Sequence, residues 1–144
     1  EIRKETLVKE RSELSQEKLS EPVLDYSQLE VLISLQDEDE PNLVAELIDN
    51  FINNSKERID KLSNAINQND LKTIQVIAHS LVSSSGYLGA RKIVALSRQL
   101  EQLAAKEQMS EIKPLFATFL VEFEKACSAL RIEQEKNNLR VKAS

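Results

Sequence analysis

Tryptophan is absent from this 144-residue chain, and histidine, cysteine and methionine each occur once. The single cysteine, Cys127, excludes an internal disulfide and any multi-thiolate metal site. Its place on an apolar helical stripe with Phe116, Phe119, Leu120, Phe123 and Leu130 marks it as a small hydrophobe rather than a reactive thiol. Only two glycines occur, Gly86 and Gly89, so a glycine-rich phosphate cradle is missing, and with it an autonomous kinase activity. No apolar run approaches the roughly 18–20 residues that a membrane span requires, which argues against direct membrane contact. There is no secretory signal either, and the expected location is cytoplasmic. Lysine and arginine number 19 against 24 acidic residues, a net charge of −5. No basic patch offsets phosphate repulsion, which excludes nucleic acid as a partner.

What is present is an ordinary globular balance, 41% hydrophobic and 30% charged residues, enough for one hydrophobic core. The periodicity is helical throughout and predicts an all-α protein. Residues 1–21 are charged with sparse apolar positions at Leu7, Val8, Leu14 and Leu19, and read as a linker or partial helix. Pro22 marks a boundary, after which Asp25 and Gln28 form a capping-box pattern opening a short helix through Leu29, Leu32 and Ile33. The acidic run Asp37–Glu40 followed by Pro41 reads as the start of a long helix. The run lacks the ligand spacing of a calcium loop, so no metal site is expected there. A buried stripe then continues from Leu43 to Ile66, and Asn69-Asp70 breaks it, with Asp70 able to cap the next helix. That helix ends at the glycines. Two more follow, one through Ile93, Leu96, Leu100, Leu103 and Ala104, the other through Ile112, Phe116, Phe119, Phe123 and Leu130. Short connections make these an antiparallel up-down four-helix bundle with an additional short N-terminal helix, occupying residues 22–131. Residues 132–144 lose the period and read as a frayed C-terminal extension. The chain begins at Glu1 rather than methionine, which reads as part of a longer protein.

His79 lies within Leu71–Ala90, where Ile74, Ile77, Ala78, Leu81, Ser85 and Leu88 form the buried stripe. At about 100° per residue, His79 falls roughly 150° from the centre of that stripe and points to solvent. Around it on the helical wheel lie Lys72, Gln75, Val76, Val82, Ser83 and Gly86, with Ser84 beside them. The surface one turn on is low, Ser83 then Gly86, and is flanked by two valines expected to be exposed. A low, partly apolar patch around an imidazole suits close docking by a globular partner. One histidine is a poor metal site, and a convex bundle face offers no cleft for acid–base hydrolysis. Nucleophilic catalysis remains, since a neutral ring nitrogen can accept a group and pass it on. Phosphoryl transfer fits best, because positioning and charge stabilisation can come from the partner.

The segment Ala78-His79-Ser80-Leu81-Val82-Ser83-Ser84-Ser85-Gly86-Tyr87-Leu88-Gly89-Ala90 resembles the signature of histidine-containing phosphotransfer (HPt) domains, and the resemblance runs on into Leu96, Leu100 and Glu101. It implies a helical bundle that carries phosphate on His79 between aspartates of response-regulator receiver domains. It also implies no cofactor bound by this domain, Mg²⁺ held in the partner receiver, and action as a monomer. The family's lysine three residues after the histidine is Val82 here, and its following glycine is Ser83. The resemblance assigns Ser84, Ser85 and Gly89 to ring support, helix packing and helix termination.

Two functions follow. The first is a phosphorelay intermediate accepting a phosphoryl group on His79 from one receiver and passing it to another, a phosphocarrier that is either free-standing or a domain of a hybrid histidine kinase. The alternative is a receiver-binding module with weak or no phosphotransfer, motivated by the missing lysine and glycine.

Overall fold

The structure, a computed structural model, describes residues 22–143. The reading of residues 1–21 as a linker lies outside the described residues. Five helices occupy the described part, with no strand among those residues: α1 (Tyr26–Ser34), α2 (Leu43–Asn67), α3 (Leu71–Tyr87), α4 (Arg91–Ala105) and α5 (Met109–Ala143). Helices α2 to α5 are joined by turns at 68–70, 88–90 and 106–108, too short for anything but antiparallel neighbours. Each packs on the next, and α2 also packs on α5, so the four close into a ring while α1 lies against α2. This is the all-α bundle with one extra short helix that the periodicity predicts. No helix among the described residues is long and apolar enough to cross a membrane.

Each turn stops its helix by the same device. The residue after the C-cap takes a left-handed conformation: Asn69 at φ 55°, Gly89 at φ 76° and Glu107 at φ 59°. Its N–H and the next one bond back to carbonyls of the last turn, as in Asn69 N to Ile66 O at 3.1 Å and Asp70 N to Ala65 O at 2.9 Å. The same pair recurs as Gly89 to Gly86 and Ala90 to Ser85, then as Glu107 to Ala104 and Gln108 to Leu103. These are Schellman motifs, which satisfy carbonyls that the helix itself leaves open. Only at the middle turn is glycine also demanded by space, because a Cβ on Gly89 would sit 2.8 Å from the Asp25 carbonyl oxygen. That carbonyl belongs to the strap holding α1 to the α3–α4 turn, where Asp25 N donates to Gly89 O at 2.7 Å and Gln28 Nε2 to Tyr87 O at 3.0 Å.

Helix starts differ from expectation in two places. Asp25 does cap α1, accepting from Ser27 N at 3.1 Å and Gln28 N at 3.4 Å, but Gln28 reaches Tyr87 rather than completing a box. The acidic run does not begin α2. Asp37 instead accepts from Asp39 N at 2.9 Å and Glu40 N at 2.8 Å, turning the chain before Pro41, and the helix opens at Leu43. Its N-cap Asn42 makes no side-chain bond, and the vacancy is met from a distance by Gln36 Oε1, which accepts from Val44 N at 3.0 Å. Asp70 caps α3 as expected, through Thr73 N at 3.2 Å.

The core runs the length of the ring. Leu62, Ile74, Ala78, Leu81, Ile93, Leu100, Ile112 and Phe119 are fully shielded from solvent. On the α2–α5 side Phe116, Phe119 and Phe123 stack along one face of α5 at centroid spacings of 6.2 Å, and Phe51 of α2 meets Phe123 at 6.3 Å. Leu120 does not join that stripe; it is exposed, one position round the helix from Phe119. Between α3 and its neighbours the packing uses small residues, with Ser55, Ala78, Ser85, Ala90 and Ser97 all buried. Glu122 is buried on α5 between Lys92 of α4 at 3.4 Å and its own neighbour Lys125 at 3.3 Å.

The C-terminal extension is not frayed. Residues 132–143 continue α5, because polar groups rather than an apolar stripe tie them down. Asn137 is buried and exchanges bonds with Gln36, Nε2 to Oδ1 at 3.0 Å and Nδ2 to Oε1 at 3.1 Å. Gln134 donates to Ala45 O at 2.9 Å and to Asp49 at 3.0 Å, and Arg131 pairs with the same carboxylate. These contacts hold the Asp49 carboxyl below its usual range, the Gln134 bond contributing most.

Candidate functional site

Helix α3 presents His79 to solvent with its side chain 70% exposed, while Ala78 and Leu81 on either side are buried in the core. The backbone is therefore fixed by packing and the ring stands outside it. The ring is not loose. Nδ1 lies 2.8 Å from Glu101 Oε1 on α4, and Glu101 is itself largely covered, 28% exposed. A carboxylate can only accept, so this contact sets the tautomer: Nδ1 carries the proton and donates, leaving the Nε2 lone pair free.

Gln75, Val76, Ser83 and Gly86 share the exposed face with His79, and Lys72 is exposed two turns towards the start of the helix. Val76 is 62% exposed. Val82 is not an exposed valine as expected but half-buried, because it faces the seam with a neighbouring helix. Gly86 lies inside the last turn of α3 rather than beyond it. A Cβ there would meet nothing closer than Val94 Cγ2 at 3.8 Å, an ordinary contact. The fold does not require this glycine, and its effect is to keep the surface low. Shallow grooves open on both sides of the C-terminal end of α3. One, of about 420 Å³, lies at the α3–α4 turn and is lined by Gly86, Val94, Ala95 and Arg98 together with Asp25, Gln28, Gly89 and Arg91; the other, of about 330 Å³, is lined by Phe51, Arg58, Ser83 and Tyr87 among others.

Ring support does not come from Ser84, which is half-buried and donates to Leu81 O at 3.4 Å. Glu101 supplies it. The sequence held a signal for this: positions 79 and 101 are mirror images about the turn at 88–90, and helices folded back on that turn bring them level. Ser85 and Gly89 do what was expected of them, packing the interior and ending the helix. No group of three or more potential metal ligands occurs among the described residues. The Cys127 thiol is half-buried against the core, and burial pushes it up to about 11, which keeps it protonated.

The sequence matches the model of the Hpt domain over residues 46–135, well over half of its length. The chain belongs to the Hpt domain family. Among solved structures it is similar to histidine-containing phosphotransfer protein B from Pseudomonas aeruginosa PAO1, with a TM-score of 0.73 and 25% identity. That match covers 81% of this chain and 98% of the other. No curated protein matches the sequence significantly. As an Hpt domain the chain has a phosphotransfer relay role, in a family whose members interact with response-regulator receivers.

Proposed function

We propose that this Hpt domain is a phosphorelay intermediate in which His79 accepts a phosphoryl group from the aspartate of one receiver and passes it to that of another. The observation that supports this reading is the exposed imidazole with Nδ1 engaged by Glu101 at 2.8 Å. In the accepting step the Nε2 lone pair attacks the phosphorus of an aspartyl phosphate, forming the N–P bond as the acyl O–P bond breaks. The carboxylate leaves with that electron pair. The ring becomes a phosphoimidazolium whose positive charge is balanced by Glu101, so no proton has to move. The donating step is the reverse, with a second carboxylate as acceptor. Gln75, Val76, Ser83, Ser84 and Gly86 form the ground on which the receiver stands, with Lys72 and Val82 at its margins. Mg²⁺ belongs to the receiver in this scheme and shields the moving group from that side.

Incubation of the chain with a phosphorylated receiver and Mg²⁺ is expected to yield an acid-labile phosphoprotein. The same label appearing on His79→Gln would refute the assignment. The departures at Val82 and Ser83 favour one other reading, docking without transfer. Rapid movement of phosphate onto His79 would eliminate it, whereas tight receiver binding with no label would establish it.

A further inference from the structure

A phosphorylated His79 poses an electrostatic problem that the resting site does not. The phosphoryl group brings up to two negative charges to a ring already facing the Glu101 carboxylate. No cation follows on the same face of α3: the residue one turn on is Val82, then Ser83, and Lys72 is about 10 Å away by helix rise.

The neighbouring helix has one. Two proximities fix the register of α4 against α3: His79 meets Glu101, and a Cβ placed on Gly86 would lie 3.8 Å from Val94 Cγ2. Between these points the antiparallel pairing sets Arg98 level with Val82 and Ser83. Arg98 lies three residues before Glu101, hence on nearly the same face of α4 and about 4.5 Å along it. It is exposed and lines the groove that contains Gly86. Its guanidinium is also uncommitted. Of the cations on α4, Arg91 and Lys92 pair with carboxylates, whereas Arg98, like Arg58 of α2, forms no ion pair or hydrogen bond among the described residues, Glu101 included.

We propose that Arg98 is the phosphoryl-binding cation of this domain, swinging from α4 across Val82 to a phosphoryl oxygen on Nε2 and taking, from the adjacent helix, the place left empty on α3. This rests on the phosphocarrier reading above. Arg98 acts after the bond is made: it offers two parallel N–H donors to adjacent oxygens and lowers the free energy of phosphohistidine relative to the free carrier. Half-buried Arg58 of α2, on the opposite flank, lines the other groove and serves as the matched control.

The test is the equilibrium distribution of phosphate between receiver and full-length chain, measured for wild type, Arg98→Gln, Arg98→Lys and Arg58→Gln. A residue that only helps docking changes the rate of approach and leaves this distribution untouched. Arg98→Gln is expected to shift it towards the receiver by roughly three- to tenfold, the range for losing one solvent-exposed charge-assisted contact. Arg98→Lys recovers part of the shift, Arg58→Gln changes it by less than about twofold, and added salt shrinks the difference. Val82→Lys in the Arg98→Gln background restores the wild-type distribution by returning a cation to α3. An unchanged distribution in Arg98→Gln, or an equal shift in Arg58→Gln, overturns the proposal. If no label reaches wild-type His79, the phosphocarrier reading itself fails, an outcome distinct from a label that arrives and ignores Arg98.

Discussion

The α3–α4 pair and the α2–α5 pair are built from different materials. Between α2 and α5 the contact is aromatic, Phe51 against the ladder of Phe116, Phe119 and Phe123, and its far end is bolted by Gln36, Asn137, Gln134 and Asp49. Between α3 and α4 the buried residues include Ala78, Ser85, Ala90 and Ser97, and the polar cross-link is His79 with Glu101. Large side chains supply burial free energy in proportion to area, whereas small ones let helix backbones approach and fix their spacing. Both pairs bury large aliphatic side chains, with Ile74, Leu81, Ile93, Leu96 and Leu100 at the front. The rear pair adds the aromatic bulk, whereas the front pair adds small residues and holds a nucleophile and its partner in register.

This division can be broken from either side. Phe119→Ala should cost about 3–5 kcal/mol in chemical denaturation, as expected for a fully buried ring, while the protein that remains folded still takes label on His79. Loss of labelling at a temperature where that variant is folded would show that the two halves are not separable. Gly89→Ala should cost at least about 1–2 kcal/mol from the left-handed backbone alone, with the Asp25 carbonyl as a further obstacle. It strikes the front pair, so its melting temperature and its transfer rate should fall together.

Glu101→Gln isolates the chemistry. The amide can still accept from Nδ1 but no longer balances the phosphoimidazolium, and transfer should slow by about tenfold with the thermal midpoint nearly unchanged. A large drop in stability instead would make Glu101 a structural residue. Glu107→Gly should raise stability by about 0.5–1 kcal/mol in denaturant titrations, since a glycine occupies φ 59° without penalty, and it should leave phosphotransfer alone.

The smallest effect is one of pH. Hydrogen bonds from Ser27 to Asp25, and from Thr73 to Asp70, lower both carboxyls below the ordinary aspartate value. A depressed native value means that the stabilisation is complete above the unfolded-state value and fades as pH falls through the native one. Acid titration of the melting temperature should therefore show Asp70→Asn losing part of the low-pH decline of the wild type.

Much of this was legible in the sequence, for reasons that differ by region. The α3 stripe placed His79 outside because a 3.6-residue period is unambiguous over seventeen residues. Glu101 falls within the motif, yet its role as the ring's partner is not legible there, since a contact across two helices depends on register, which no single helix encodes. The helical end of α5 is illegible for a related reason: Asn137 and Gln134 are held by Gln36, Ala45 and Asp49, residues 85 to 101 positions away and invisible to a periodicity argument. Gln36 as the distant cap of α2 was likewise unreadable, since capping patterns are sought within four residues of a helix start.

The turn at 88–90 has a consequence for how such a chain can vary. His79 and Glu101 stand on opposite arms of a hairpin whose apex is three residues long, so the lengths of its arms act as a phase key for the chemistry. One residue added inside α4 between Val94 and Glu101 would turn Glu101 by about 100° and shift it by about 1.5 Å relative to the start of that helix, carrying it off the imidazole. Substitutions elsewhere on the bundle surface leave the pairing intact, but a change of length within either arm detunes it in a single step.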